Sequence, residues 1–375
     1  MKLMTLTKRV VIKIGSSSLT SQSGDISRRK LEKITDQVAE LKDQGHEVLL
    51  VSSGAVAAGY RTLGFVNRPT SLPEKQAAAS VGQGRLIETY SELFSSHGYA
   101  ASQILITRGD FSDEKRYNNV RNTVNVLLER GIVPIVNEND TVTTDRLRFG
   151  DNDTLSAKVA GLVDSDQLII LSDIDGLYDD DPRKNQNAEL LPKVTEITDE
   201  IEDMAGEPGS AVGTGGMRSK IDAFKISMAS GIPSFLGRSG VKNILIDAVD
   251  ETARGTYFSC EETEHNLDHK RQWIAFNSGP EGEITIIDEA REAIVDNKAH
   301  LLPSQVYQVD GHFSKGSVVK IRDINGTQLG LGMMNYSSED LAAFQLKKTQ
   351  DRSLDAVMNS EAFVCELEVA IPVGV

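Results

Sequence analysis

Lys13 stands where an apolar run, Val10 to Ile14, gives way to Gly15-Ser16-Ser17. An ammonium beside a small-residue turn can join backbone N–H groups around an anion, or it can simply point from a strand end into solvent. A second small-residue stretch, Ser52-Ser53-Gly54-Ala55-Val56-Ala57-Ala58-Gly59, follows another apolar run. It permits a helix N-terminus to approach a carboxylate or phosphate, and equally a tight helix–sheet contact. Two polar clusters, Asn137-Glu138-Asn139-Asp140 and Gly150-Asp151-Asn152-Asp153, are expected to flank a hairpin. Their amides and carboxylates can grip an ammonium and a second carboxylate or coordinate Mg2+. The same residue types build turns and helix caps, and Asn152 or Asp153 is placed to cap a helix over 154–163. Ser172-Asp173 opens a turn that runs through Gly176-Leu177-Tyr178 into an acidic stretch, Asp179-Asp180-Asp181. Gly213-Thr214-Gly215-Gly216-Met217-Arg218-Ser219-Lys220 precedes a helical pattern marked by Ile221, Phe224 and Met228. Glycines there free the backbone to wrap a phosphate at a helix N-terminus, and Lys220, one turn inside, can reach a β- or γ-phosphate.

These loops need a rigid frame. Apolar runs rich in Val, Ile and Leu at 10–14, 47–52, 101–106, 132–136 and 167–172 each end in a polar or glycine-rich turn, which predicts parallel strands of an α/β domain. In such a sheet ligands sit beyond the carboxyl ends of the strands, where all these clusters fall. Leu31, Ile34, Val38 and Leu41 recur at helical spacing, with Ser27 as N-cap and Gly45 as C-cap, which predicts a crossover helix between the first two strands. The charged stretch near 255–272 breaks the rhythm and reads as a connector. Beyond it, short β-like runs at 283–287 and 317–321, with turns at Ser278-Gly279-Pro280 and Asn325-Gly326, predict a small, mostly β domain. The expected division is a domain over 1–258, a connector over 259–274 and a second domain over 275–375.

Composition narrows the function. The 55 Asp+Glu outweigh 40 Lys+Arg, a net charge of −15 that repels phosphate polymers and anionic membranes, so any anion must be held locally. Residues 275–375 alone carry 8 Lys+Arg against 15 Asp+Glu, a net of −7, which argues against nucleic acid as a partner. Cys260 and Cys365 lack metal-site or disulfide-framework spacing. No signal-peptide core and no run of about 18 apolar residues stands in the sequence, so a cytoplasmic protein without membrane contact is expected. Gly-x-x-x-x-Gly-Lys-[Ser/Thr], Gly-x-Gly-x-x-Gly, the protein-kinase motif set, His-Glu-x-x-His and Gly-x-Ser-x-Gly are all missing.

Taken in order, Lys13-Ile14-Gly15, Ser53-Gly54-Ala55, Gly150-Asp151-Asn152-Asp153, Ser172-Asp173 with Gly176-Leu177-Tyr178, and Gly213 to Met217 with Lys220 resemble the amino acid kinase family. Any one of these motifs is weak, whereas five in register are specific. Asn137-Glu138-Asn139-Asp140 points to the branch acting on glutamate rather than to those acting on uridylate, carbamate, aspartate or acetylglutamate. Glu283-Ile284-Thr285, Leu301-Leu302-Pro303 and Gly311 to Gly316 resemble a PUA domain. Two positions depart from the pattern: Ser172 stands where threonine is usual, which keeps a hydroxyl, and Glu289 replaces a common glycine.

The resemblance implies a three-layer αβα sandwich around a mainly parallel sheet, and transfer of the ATP γ-phosphoryl group to the side-chain carboxylate of L-glutamate as the first step towards proline. It implies Mg2+ with ATP as co-substrate. Lys13 and Lys220 would stabilise the transferring phosphoryl group, with Asp153 holding both lysines. Ser53, Asp140 and Asn152 would bind glutamate. Lys13, Ser172, Asp173, Tyr178 and the run Thr214, Gly215, Gly216, Met217, Arg218, Ser219 and Lys220 would line the ATP site. It further implies inhibition by L-proline, a homo-oligomer of two or four chains, and a downstream reductase that takes the labile acyl phosphate.

Overall fold

The computed structural model describes residues 6–21, 25–143, 152–182, 184–204, 216–259, 267–295, 299–347 and 355–366. The chain forms two compact units, Met1–Asp110 with Lys115–Thr263, and Phe111–Glu114 with Glu264–Val375.

In the first unit the strands are β1 (Arg9–Ile14), β2 (Glu47–Ser52), β3 (Ala101–Ile106), β4 (Val133–Glu138), β5 (Gln167–Ser172), β6 (Lys193–Val194), β7 (Ser234–Arg238) and β8 (Thr256–Phe258). They form one sheet in the order β3-β4-β2-β1-β5-β7-β8-β6. Every described pairing in it is parallel except β7 with β8. The helices are α1 (Ser16–Leu19), α2 (Arg28–Asp43), α3 (Ala55–Gly59), α4 (Leu72–Ser96), α5 (Arg108–Ser112), α6 (Glu114–Glu129), α7 (Asn152–Leu162), α8 (Asp199–Met204), α9 (Met217–Ala229) and α10 (Ile244–Val249). Three of the expected strands, β2, β3 and β5, have the predicted ends, and β4 continues two residues further to Glu138.

The central strands read as unbroken apolar runs because both of their faces are covered. Val10, Val11, Ile12 and Ile14 of β1 and Leu168 to Leu171 of β5 are all fully buried. One face packs on α2 through Leu31, Ile34, Val38 and Leu41, and on Leu86, Tyr90 and Phe94 of α4. Ser27 precedes α2 as expected, without a side-chain cap bond. Its C-cap is Gln44, and Gly45 follows at φ +96°, the left-handed position that terminates a helix most easily with glycine.

Register places the loops together. Ile14 lies opposite Ser52 on one side and Leu171 on the other, and Val51 lies opposite Val136. The carboxyl ends of β1, β2, β4 and β5 therefore meet along one edge.

The second unit holds α11 (His269–Gln272), one π-turn over Trp273–Asn277, α12 (Asp288–Val295) and α13 (Ser338–Lys347), with strands β9 (Gly282–Ile286), β10 (Val306–Gly311), β11 (Val318–Asp323), β12 (Gln328–Met333) and β13 (Phe363–Cys365). The strands pair in the order β10-β9-β11-β12-β13. β9 and β11 run parallel and the other pairs antiparallel. Gly326 turns the β11–β12 hairpin at φ +84°. Trp273 Nε1 donates to the Phe111 carbonyl at 2.9 Å, tying the short mid-chain segment into this unit. No helix among the described residues is long and apolar enough to cross a membrane.

Candidate active site

Asp153, in the first turn of α7, is fully buried beneath the joined carboxyl ends of the strands. An isolated carboxylate in that position would lose its hydration, so it requires charged partners. Lys13, from the end of β1, is ion-paired with Asp153 Oδ1. Lys220, from the first turn of α9, reaches Oδ2 at 3.1 Å. Ser219 Oγ donates to the same Oδ2 at 3.0 Å. Burial alone would raise the Asp153 carboxyl, but the charges of Lys13 and Lys220 outweigh it and hold the group below the ordinary carboxylate range. The Asp153 side chain thus serves the two lysines, and the capping role open to it from sequence is not what its oxygens do.

Both lysines are themselves 6% exposed. Lys13 folds over the adjoining turn, for a Cβ placed on Gly15 would lie 3.6 Å from its Nζ. The Gly15 amide donates to the Leu171 carbonyl at 3.4 Å, which brings this turn beside Ser172.

Asn152, next to Asp153, opens a second cluster. Its Nδ2 lies 2.9 Å from Ser53 Oγ, 3.1 Å from the Ser52 carbonyl and 3.1 Å from Asn137 Oδ1. Ser53 and Gly54 leave β2 at a sharp turn in which Gly54 has φ +100°, a conformation in which a Cβ is strained. Asp140 is half-buried in the turn beyond β4, which Thr143 closes by donating its hydroxyl to the Asn139 carbonyl at 2.8 Å. Asn152 and Asp153 are consecutive, so α7 joins an amide cluster suited to an amino acid to a cationic cluster suited to phosphate.

Around the cationic cluster, Ser172 is buried and its hydroxyl donates to Asp173 Oδ1 at 3.1 Å, with Asp173 exposed. The Tyr178 hydroxyl donates to Asp175, which is ion-paired with Arg238. Gly216 caps α9 and is exposed, and Met217 is half-buried. Arg218 is committed elsewhere: its guanidinium pairs with Glu202 of α8 at 2.7 Å and with Asp222 at 3.5 Å. Thr214 and Gly215, together with Gly150, Asp151, Gly213 and the hairpin expected before Asn152, lie outside the described residues.

Sequence reasoning missed three side chains behind the site. Gln83 accepts from Asn137, Tyr90 meets Ser52, and Gln76 donates to the Thr143 carbonyl, all from α4. Their seven-residue spacing, about two turns, marks one helix face, but nothing in an isolated glutamine signals that this face is buried.

Residues 8–237 match the amino acid kinase family, and residues 282–352 match the PUA domain. The chain is 65% identical over 367 residues to glutamate 5-kinase 2 of Bacillus licheniformis, covering 97% of this chain and 98% of that one. It is 61% identical to glutamate 5-kinase 2 of Bacillus subtilis over 370 residues, 99% of both chains. Among solved structures, carbamate kinase from Giardia lamblia bound to AMP-PNP superposes with a TM-score of 0.50 at 18% identity, covering 68% of this chain and 99% of that one. That likeness is one of fold.

Proposed function

The chain belongs to the amino acid kinase family, and from that premise we propose that it transfers the γ-phosphoryl group of ATP to the side-chain carboxylate of L-glutamate. The observation that carries this reading is the pair of lysines fixed on one buried carboxylate, beside an amide cluster, at the carboxyl edge of the sheet. The relatives over nearly the full chain supply the acceptor.

In the reaction a glutamate side-chain oxygen forms a bond to the γ-phosphorus while the bond to the β,γ-bridging oxygen breaks, giving an acyl phosphate and ADP. No general base is required, since a free carboxylate with a pKa of about 4.3 is already ionised at neutral pH. What remains is to align two anions and offset their charge. Lys13 and Lys220 supply fixed positive charge for the transferring group, and Asp153 holds both ammonium groups at their posts so that they need no reorganisation during transfer. Ser53, Asn152 and Asp140 bind the amino acid. Ser172, Asp173, Tyr178 and the run from Thr214 to Lys220 line the nucleotide site, with Arg218 reaching it only by leaving Glu202.

No group of three His, Cys, Asp or Glu side chains placed to hold a metal ion occurs among the described residues. Mg2+ retains several waters and binds chiefly through phosphate oxygens, so it would be carried by the nucleotide. When bound, it offsets charge on the ATP phosphates. The domain limits 1–258 and 275–375, inhibition by L-proline, a dimer or tetramer, and delivery of the labile product to a reductase complete the reading.

ATP-dependent hydroxamate formation in the presence of hydroxylamine tests it, with L-glutamate, L-aspartate and N-acetyl-L-glutamate compared, each with and without L-proline. Hydroxamate from L-glutamate alone is expected. Preference for another acid overturns the acceptor, and no reaction with any overturns the activity.

A further inference from the structure

Four parts of the frame around the amide cluster, the end of β2, α3, the end of β4 and the turn beyond it, are held by α4. Gln76 Nε2 donates to the Thr143 carbonyl at 3.0 Å, beyond Asp140. Gly82 backs onto α3, where an added Cβ would lie 1.8 Å from the Ala55 carbonyl oxygen. The Tyr90 hydroxyl lies 3.0 Å from Ser52 Oγ. Between these contacts, Gln83 Oε1 accepts from Asn137 Nδ2 at 2.8 Å.

The orientation of that last bond follows from the backbone. The Glu138 N–H can only donate, and it donates to Asn137 Oδ1 at 2.9 Å. Asn137 must then present Nδ2 to Gln83, and Gln83 must answer with Oε1. The consequence is that Gln83 Nε2, in a residue only 8% exposed, has no hydrogen-bond partner among the described residues. A buried amide donor without an acceptor costs stability, and methionine would fill nearly the same volume without it. The feature that offsets the cost is the bond Gln83 accepts. That bond fixes Asn137, whose Oδ1 accepts from Asn152, whose amide in turn reaches the Ser53 hydroxyl.

We infer that Gln83 is a positioning residue for the amino-acid substrate. It acts from behind the pocket through Asn137 and Asn152, and it has no part in nucleotide binding. The inference rests on the reading that Ser53 and Asn152 bind glutamate.

The test is steady-state kinetics on full-length Gln83→Met and Gln83→Glu, each alone and in an Asn152→Ala background, with thermal melts and the wild type run in parallel. Gln83→Met is expected to raise KM for L-glutamate about fivefold to tenfold, the loss of one buried hydrogen bond, with KM for ATP moved less than twofold. Gln83→Glu, which keeps an acceptor for Asn137, should recover most of the loss. In the Asn152→Ala background, Gln83→Met should add less than twofold, because the relay is already cut. Gln83→Leu repeats the measurement in a different shape should the methionine variant fail to fold. An unmoved KM for glutamate in a folded variant, a parallel rise for both substrates, or full additivity with Asn152→Ala overturns the inference. If the wild type makes no hydroxamate from L-glutamate, it is the underlying functional reading that falls.

Discussion

Lys13 and Lys220, one on the first strand of the sheet and the other on a helix far along the chain, bind opposite oxygens of the same carboxylate, Asp153. The distance between the two ammonium groups is thereby set by a rigid three-atom group and not by two long flexible side chains. On the proposed mechanism, removing either lysine takes away a charge that acts in the transition state. Lys13→Ala and Lys220→Ala should each lower kcat about 10²–10³-fold, with KM for glutamate little changed. Retention of most of the turnover would remove that lysine from the mechanism.

Asp153→Asn leaves two buried ammonium groups facing a neutral amide. Breaking a buried pair from one side costs about 3 kcal/mol, so the variant should melt at lower temperature as well as lose activity. The pH dependence has a definite sign. Because folding lowers the Asp153 pKa, its contribution is present above the unfolded-state value of about 3.9 and is lost as pH falls below it. Acid unfolding curves should therefore show the wild type losing stability faster than Asp153→Asn below about pH 4, and parallel curves would contradict the assignment.

Asp140 lies on the turn beyond β4, three residues past Asn137 of the amide cluster. Asp140→Ala should raise KM for L-glutamate about tenfold or more while kcat changes less, the pattern for lost ground-state binding. Initial rates over a glutamate titration at saturating ATP decide the matter. An unchanged KM would place the amino-acid site elsewhere.

Two glycines of α4, one residue apart on either side of Gln83, should respond in opposite directions. A Cβ at Gly82 would fall 1.8 Å from a backbone oxygen of α3, whereas a Cβ at Gly84 meets nothing within 4 Å. Gly84→Ala should stabilise by up to about 1 kcal/mol through helix propensity. Gly82→Ala should destabilise by about 1–3 kcal/mol and weaken glutamate binding, since α3 must move. Differential scanning calorimetry of the pair checks the contrast, and equal shifts would refute the tight α3–α4 contact.

The frame was readable because the buried strands of a parallel sheet are apolar on both faces, so runs such as 47–52 and 167–172 announce themselves. Ser53, Ser172 and Asp173 were readable as candidates because they close or directly follow such runs, whereas Asp153 and Lys220 stood out only through the Gly-Asp-Asn-Asp and glycine-rich motifs that hold them. Asn137 was visible within its motif, yet its partner Gln83 was not, because a glutamine in an alanine- and glycine-rich helix reads as solvent-facing until the neighbouring elements are placed. Strand β8 was missed for a related reason. It is three residues long and runs against its neighbour β7, and only its pairing, not its composition, makes it a strand. The commitment of Arg218 to Glu202 is likewise tertiary, set by how α8 meets α9.

The shared carboxylate also shapes how fast nucleotide can arrive. Two ammonium groups against one carboxylate leave a single surplus positive charge at the bottom of the site, within a chain of net charge −15. An approaching nucleotide is repelled at long range and attracted only at the end of its path. Dissolved ions screen the exposed charges over about 8–10 Å but penetrate little to the buried triad. Adding salt at low ionic strength should therefore raise the association rate constant for ATP, the reverse of what an enzyme with a basic exterior would show.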